Sequence, residues 1–226
     1  MYKPQETADV TTLVVVDDEQ LVRDAYTKFF DREPGHDLLG SAATGAEGIR
    51  LVRELRPDVV LMDLNMPGMS GMQATAAIME FDPSACVVAL TSFADRDNVV
   101  GLLQAGAAGY MLKHADRDTL LGAIAAARKG DMPLAASVRH ALVAAALHSR
   151  PVQDRPRMAP RELELLGWLA EGLSNREIAQ QMHLSEGSVK QYLSTIGDKL
   201  ERKSRTQILV RAIQLGLVDP HASRSQ

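Results

Sequence analysis

Two short stretches decide the fold: Leu13-Val14-Val15-Val16-Asp17-Asp18-Glu19 and Asp58-Val59-Val60-Leu61-Met62-Asp63. In each, an unbroken β-favouring apolar run ends abruptly in carboxylates. A strand that is apolar on both sides is buried on both faces, the condition of a parallel sheet covered by helices. Working outward, Cys86-Val87-Val88-Ala89-Leu90 is a third such run, and weaker strands are expected near His36–Ala42 and Ala108–Leu112. Between them lie helix-length pieces. Gln20–Phe30 places Leu21, Val22, Ala25, Phe29 and Phe30 near helical spacing, and Ala46–Leu55 does the same with Ile49, Leu51, Val52 and Leu55. Five β/α repeats in about 120 residues predict an α/β domain with a five-stranded parallel, doubly wound, flavodoxin-like sheet, whose ligands sit at the carboxyl ends of the strands.

After Gly130 the strand signal stops. Ser137 to Leu147 is alanine-rich and helix-prone, and Ser149–Pro160, with Pro151, Pro156 and Pro160, reads as a linker. Four helices are expected beyond it, at about Pro160–Glu171, Asn175–Met182, Glu186–Leu200 and Ser204–Leu215. Gly172 suits a left-handed helix stop, and Ser174, Ser185 and Ser204 suit N-caps. The expected division is therefore a first domain over 10–130, a helical segment and linker over 131–157, and a small all-α domain over 158–218.

The 226 residues are 46% hydrophobic and 24% charged, which excludes a disordered or fibrous chain. The single cysteine, Cys86, precludes an intrachain disulfide and reads as a small core residue. A cytoplasmic location is expected, because no apolar run reaches the roughly 18–20 residues of a membrane span and the segment up to Val10 has no apolar core of an export signal. Charge is unevenly divided. Residues 1–130 hold 12 lysines and arginines against 19 acids, whereas 131–226 hold 13 against 10. Between Ser188 and Arg211, six cations face only Asp198 and Glu201, the footprint of a nucleic-acid-binding surface and also of a solvated helix face.

Adjacent first and third strands bring Asp17, Asp18 and Asp63 to one sheet edge. Three crowded carboxylates stay ionised only beside a cation, and hard oxygen ligands suit Mg²⁺. The fourth and fifth strands add the Thr91 hydroxyl and the Lys113 ammonium at the same edge. A carboxylate nucleophile, a metal, a hydroxyl and a lysine are the set that holds a phosphoryl group on an aspartate.

Val16-Asp17-Asp18-Glu19, Met62-Asp63-Leu64-Asn65-Met66-Pro67-Gly68, Leu90-Thr91-Ser92 and Gly109-Tyr110-Met111-Leu112-Lys113 together resemble the receiver domain of bacterial two-component response regulators. The resemblance implies that Asp63 takes phosphate from a sensor histidine kinase. It also implies that Asp17, Asp18, Asp63 and the Asn65 carbonyl hold Mg²⁺, that Lys113 pairs with the phosphoryl group, and that Thr91 and Tyr110 move inward as switches. Ser92 departs from the alanine of many relatives, which bears on the lifetime of the phosphoryl group.

In the second domain, His183-Leu184-Ser185 is a joint of helix-turn-helix length. On Glu186–Leu200, Val189, Leu193, Ile196 and Leu200 share a core-facing stripe, leaving Lys190, Gln191 and Ser194 on a polar face suited to base edges, with Arg205 suited to phosphates. Ala159-Pro160-Arg161-Glu162-Leu163-Glu164-Leu165-Leu166, Leu169 to Ala179 and Leu184-Ser185-Glu186-Gly187-Ser188-Val189-Lys190 resemble the LuxR-type DNA-binding domain, and the two halves together resemble the NarL/FixJ class. Gly197 departs from that pattern. At about 1 kcal/mol of lost helix propensity, it is expected to bend or fray the distal helix.

The resulting expectation is a transcriptional regulator that binds double-stranded DNA under control of Asp63 phosphorylation, dimerising when phosphorylated and independent of membranes. The alternatives are a phosphorylation-independent DNA binder or a protein-interaction switch. An enzyme is disfavoured, since the sequence offers no separate general acid and no substrate-pocket segment.

Overall fold

The computed structural model describes residues 10–92, 96–129, 155–202 and 205–218. The helix-prone stretch over 137–147, most of the proline linker and the Ser204 cap lie outside the described residues. Five strands form one sheet: β1 (Thr11–Val16), β2 (His36–Ala42), β3 (Val59–Asp63), β4 (Val87–Thr91) and β5 (Gly109–Leu112). Their order is β2-β1-β3-β4-β5, and every neighbouring pair is parallel. The helices between them are α1 (Gln20–Phe30), α2 (Gly45–Leu55), α3 (Gly71–Phe81) and α4 (Arg96–Ala105), with α5 (Arg117–Arg128) after β5.

The two-residue period of the strands divides each apolar run between two cores. Leu13, Val15, Val59, Leu61, Val88 and Leu90 pack with α1 and α5 through Tyr26, Phe30, Leu120 and Ile124. Val14, Val16, Val60, Met62 and Val87 pack with α2 and α3 through Val52, Ala74 and Ile78. Fully burying one such side chain stabilises the fold by about 1.5–3 kcal/mol, so the continuous apolar runs serve two layers at once. Side chains fix where helices begin. Thr44 accepts the Glu47 N–H, Ser70 and Gln73 close a capping box, and Asp116 accepts the Thr119 N–H.

In the second unit, α6 (Pro160–Ala170), α7 (Asn175–Met182), α8 (Glu186–Leu200) and α9 (Arg205–Gln214) enclose Leu165, Leu166, Leu169, Ile178, Val189, Leu193, Ile196, Leu200, Ile208 and Ile213. Gly172 adopts φ 84° after α6, and Ser174 and Ser185 cap α7 and α8, as expected from the sequence. Gly197 does not behave as expected. Helix α8 runs on through Leu200, and Gly197 is buried because the returning chain donates the Arg202 N–H to its carbonyl at 2.8 Å. A Cβ at that position would collide with the Arg202 carbonyl, so the glycine permits a close approach rather than a bend.

The two units touch through α4 and α9. Val210 of α9 is buried in a cluster with Leu64, Ala89, Leu102, Leu103 and Ala107 of the first unit.

Candidate functional site

β1 and β3 are hydrogen-bonded neighbours, so the residues that follow or end them converge. Asp17, Asp18 and Asp63 each place a carboxylate oxygen within 4.8 Å of the others. Asp17 and Asp63 are buried and Asp18 is exposed, which leaves the cluster open on one side. The Lys113 ammonium reaches in from just past β5, 2.8 Å from Asp17, 3.1 Å from Asp63 and 3.4 Å from Glu19. Burial pushes the Asp63 carboxyl above the usual carboxylate range; Lys113 pulls it back and Asp17 pushes it further up. Burial alone would lower the Lys113 pKa, but its hydrogen bonds to Asp17 and Asp63 outweigh that and hold its proton more tightly than usual. One ammonium among this many carboxylates leaves the pocket short of positive charge.

Thr91 ends β4, is buried, and accepts the Lys113 N–H at its carbonyl at 2.9 Å. The Asn65 N–H donates to Asp63. Tyr110 pairs with Ala89 across the sheet and packs partly buried against the Leu64, Leu102, Leu103 and Val210 cluster. It thus stands at the contact between the units. Met62 and Met66 belong to the core beside α2 and α3, whereas Met72 is exposed. Burial pushes the Cys86 thiol up to about 12, in keeping with a small apolar residue.

Sequence reading missed three supports of this pocket. Arg23 is buried on α1 and donates to the carbonyls of Asp17 at 2.7 Å and Asp18 at 3.0 Å, and also bonds Gln20. The available signal was an arginine inside the apolar stripe of Gln20–Phe30. Glu19, whose carboxylate lies 3.4 Å from the Lys113 ammonium, has no signal in the sequence beyond following Asp17-Asp18. Gly71 carries no signal in the sequence; a Cβ there would strike the Asp63 carbonyl, so this glycine lets α3 begin directly against the end of β3.

On α8, Lys190, Gln191 and Ser194 are exposed and the stripe Val189, Leu193, Ile196 and Leu200 is buried. Arg205 is engaged within the unit: it donates to Asn175 at 2.8 Å and to the Leu173 carbonyl, tying α9 to the start of α7. Another unforeseen tie joins α6 to α8. The buried Glu162 carboxylate receives the Lys199 ammonium at 2.7 Å on both oxygens and the Ala159 N–H at 2.7 Å. Burial pushes Glu162 up, but Lys199 and the Ala159 N–H outweigh it and hold the carboxyl below its ordinary 4.5.

Among the described residues no helix is long and apolar enough to cross a membrane. Residues 13–125 match the response regulator receiver domain family, and residues 157–212 match the bacterial regulatory proteins of the luxR family. The chain belongs to the two-component response regulators. The transcriptional regulatory protein LiaR of Bacillus subtilis (strain 168) is 36% identical over 92% of this response regulator and 99% of its own length. The nitrate/nitrite response regulator NarL of Escherichia coli (strain K12) is 32% identical over 88% and 93% respectively. Among solved structures, the response regulator ChrA of a heme-sensing two-component system superposes with a TM-score of 0.50 at 30% identity, covering 93% of this regulator and all of ChrA. A LuxR-family regulator from Aurantimonas sp. SI85-9A1 gives 0.54 at 31% identity, over 62% of this chain and 99% of its own. This response regulator carries a receiver domain and a LuxR-type DNA-binding domain, and its relatives are transcriptional regulatory proteins.

Proposed function

We propose that Asp63 is the phosphoacceptor of this regulator and that its phosphorylation controls DNA binding in the cytoplasm. The observation that carries this reading is the Lys113 ammonium lying within 3.1 Å of both Asp17 and Asp63 in an acid-rich pocket. An Asp63 oxygen forms a bond to phosphorus as the P–N bond to a kinase phosphohistidine breaks and the imidazole nitrogen keeps the electron pair. Lys113 then pairs with a phosphoryl oxygen, and the Thr91 hydroxyl donates to another. Asp17, Asp18, Asp63 and the Asn65 carbonyl fit a hard divalent cation, two of the carboxylates being buried and a third open to solvent. Bound there, Mg²⁺ supplies charge neutralisation for the transferring phosphoryl group.

The donor kinase meets α1 as it approaches. Leu21 is 81% exposed, and a groove lined by Leu21, Val22, Ala25, Ala115 and Lys113 itself opens beside the pocket. Lys190 and Ser194 of α8 face the receiver across a cleft of about 480 Å³, too small to admit a duplex. DNA binding therefore requires the domains to part. Tyr110 shares its cluster with Val210, so an inward turn of Thr91 and Tyr110 removes part of what holds α9 in place. A complete switch, from 1:99 to 99:1, needs about 5.5 kcal/mol of differential stabilisation. Two freed copies then present α8 to half-sites about one DNA turn apart, with Lys190, Gln191 and Ser194 toward base edges, while Arg205 stays with Asn175 and Leu173 and braces α9 against the start of α7.

Incubation with acetyl phosphate and Mg²⁺ tests the phosphoacceptor. The expected result is an acid-labile label that requires Mg²⁺ and is absent from Asp63→Asn; a variant that labels like the parent contradicts the assignment. Label without any change in DNA retention favours a protein-interaction switch.

A further inference from the structure

Side chains cap the starts of α2, α3 and α5, through Thr44, Ser70 and Asp116. The start of α1 has no such cap. The residues before it commit their carboxylates to the pocket: Asp17 and Glu19 meet Lys113, and Asp17 and Asp18 join Asp63 in the acidic cluster. What holds the connection from β1 to α1 comes instead from inside the helix. Arg23 turns back over the first turn, and one guanidinium nitrogen, Nη1, donates to two successive carbonyls, those of Asp17 at 2.7 Å and Asp18 at 3.0 Å. Its other terminal nitrogen donates to the Gln20 amide oxygen.

This placement runs against simple electrostatics. A cation near a helix N-terminus is disfavoured by the helix dipole, and a guanidinium beside a divalent-cation pocket repels the ion. Arg23 is also buried, and the oxygens it binds belong to neutral groups. The geometry shows what is gained. The carbonyls of Asp17 and Asp18 belong to the two rigid peptide planes on either side of the Asp18 Cα. Pinning both to one nitrogen fixes the direction in which the Asp18 side chain leaves the backbone. Asp17 has further anchors: its N–H donates to the Ala42 carbonyl at 3.0 Å, Oδ1 accepts the Glu19 N–H at 3.0 Å, and Lys113 holds Oδ2 at 2.8 Å. Asp18 is exposed and its carboxylate has no such bond among the described residues, so its position depends on the backbone behind it.

We propose that Arg23 is a positioning residue of the cation site, one that raises affinity for a divalent ion by holding Asp18 in place despite the repulsion of its own charge. This role rests on the reading of Asp17, Asp18 and Asp63 as that site, and it names the residue that sets how tightly they bind. Geometry and charge pull in opposite directions when Arg23 is removed: losing the carbonyl bonds weakens binding, whereas losing the charge strengthens it. Groups that orient metal ligands contribute roughly ten- to hundredfold in affinity. That exceeds the effect of one charge across a pocket open to solvent, where screening is strong.

Mn²⁺, an ion that shares the preference of Mg²⁺ for carboxylate and carbonyl oxygen, tests this when titrated into the full unphosphorylated chain and followed by loss of the free-ion paramagnetic resonance signal. Arg23→Met is expected to weaken binding about tenfold or more, and Arg23→Lys, whose ammonium can still donate to those carbonyls, to recover part of the loss. Gln20→Ala, at an exposed position, frees one side of the guanidinium and is expected to weaken binding by less. Thermal melting checks that each variant folds, and Gln20→Ala carries the test where Arg23→Met does not fold. With acetyl phosphate, Arg23→Met is expected to raise the half-saturating Mg²⁺ concentration by the same factor and to lower the rate at saturating Mg²⁺ by far less, a split that a merely structural role would not produce. Mn²⁺ binding by Arg23→Met that equals or exceeds the parent's overturns the proposal. So does a lowered saturating rate with an unchanged Mg²⁺ requirement. Asp18→Asn separates the two readings: if it binds Mn²⁺ like the parent, the acidic cluster is not the cation site and both fall, whereas a loss in Asp18→Asn with none in Arg23→Met removes only the role of Arg23.

Discussion

The receiver and the DNA-binding domain each place a lysine against buried acid, and they do so in opposite ways. In the DNA-binding domain, Lys199 meets one carboxylate, Glu162, whose remaining capacity is filled by a backbone N–H. In the receiver, Lys113 is shared by Asp17, Asp63 and Glu19, with Asp18 alongside. The first arrangement is balanced and ties two helices together. The second carries surplus negative charge, which suits a divalent cation; in the function proposed above, that cation and the lysine already in place would together meet the phosphoryl group. Charge balance separates structure from chemistry here better than burial does, because both acids are buried.

Substitution should separate the two lysines cleanly. Lys113→Met is expected to slow phosphorylation by acetyl phosphate by about a hundredfold or more, the usual loss for one preorganised donor to a transferring group. Label uptake at fixed Mg²⁺ measures this, and a rate within twofold of the parent would erase the contrast. Glu162→Gln should leave that rate unchanged while lowering the stability of the DNA-binding domain by about 2 kcal/mol, through loss of charged hydrogen bonds. Thermal or urea unfolding reads this effect.

The same pair carries a signed pH dependence. The Glu162 pKa is lower in the fold than its ordinary 4.5, so its contribution is fully present above that value and lost as pH falls through the folded pKa. The stability difference between the parent and Glu162→Gln should shrink on acidification below 4.5. A difference that grows would reverse the assigned sign.

The interface between the units sharpens the comparison from another side. Burial of a valine stabilises by about 1.5–3 kcal/mol, so Val210→Asp should part the domains and raise the DNA affinity of the unphosphorylated chain roughly tenfold, as read by DNA retention. Unchanged affinity would mean that this contact does not restrain α8. A smaller, more selective effect is expected at α1. Leu21→Asp should slow transfer from a kinase several-fold, in line with loss of an apolar anchor, yet leave acetyl phosphate labelling intact; equal slowing by both donors would place Leu21 in the chemistry instead.

The fold was legible because β1, β3 and β4 are apolar on both faces, a pattern that only a covered parallel sheet rewards. The acidic pocket was legible because its residues sit at strand ends, where topology alone brings Asp17, Asp18, Asp63, Thr91 and Lys113 to one edge. What stayed hidden depends on contacts that leave no period in the chain. Arg23 was masked by its apolar neighbours although it braces the carbonyls behind the carboxylates. Arg205 read as a surface cation although it is held by Asn175 and Leu173. Gly197 looked like a weak point, and its reason lies in a turn that meets it five residues later. Val210 is one apolar residue among several on α9, and nothing local distinguishes the one that reaches Leu64 and Leu102.

The most direct test of the whole account follows DNA affinity in one preparation as the fraction of chains carrying acid-labile phosphate is raised, with Asp63→Asn treated identically. Affinity that climbs with the label, and stays flat in the variant, is the predicted result. Labelled and unlabelled chains that retain DNA equally would contradict it.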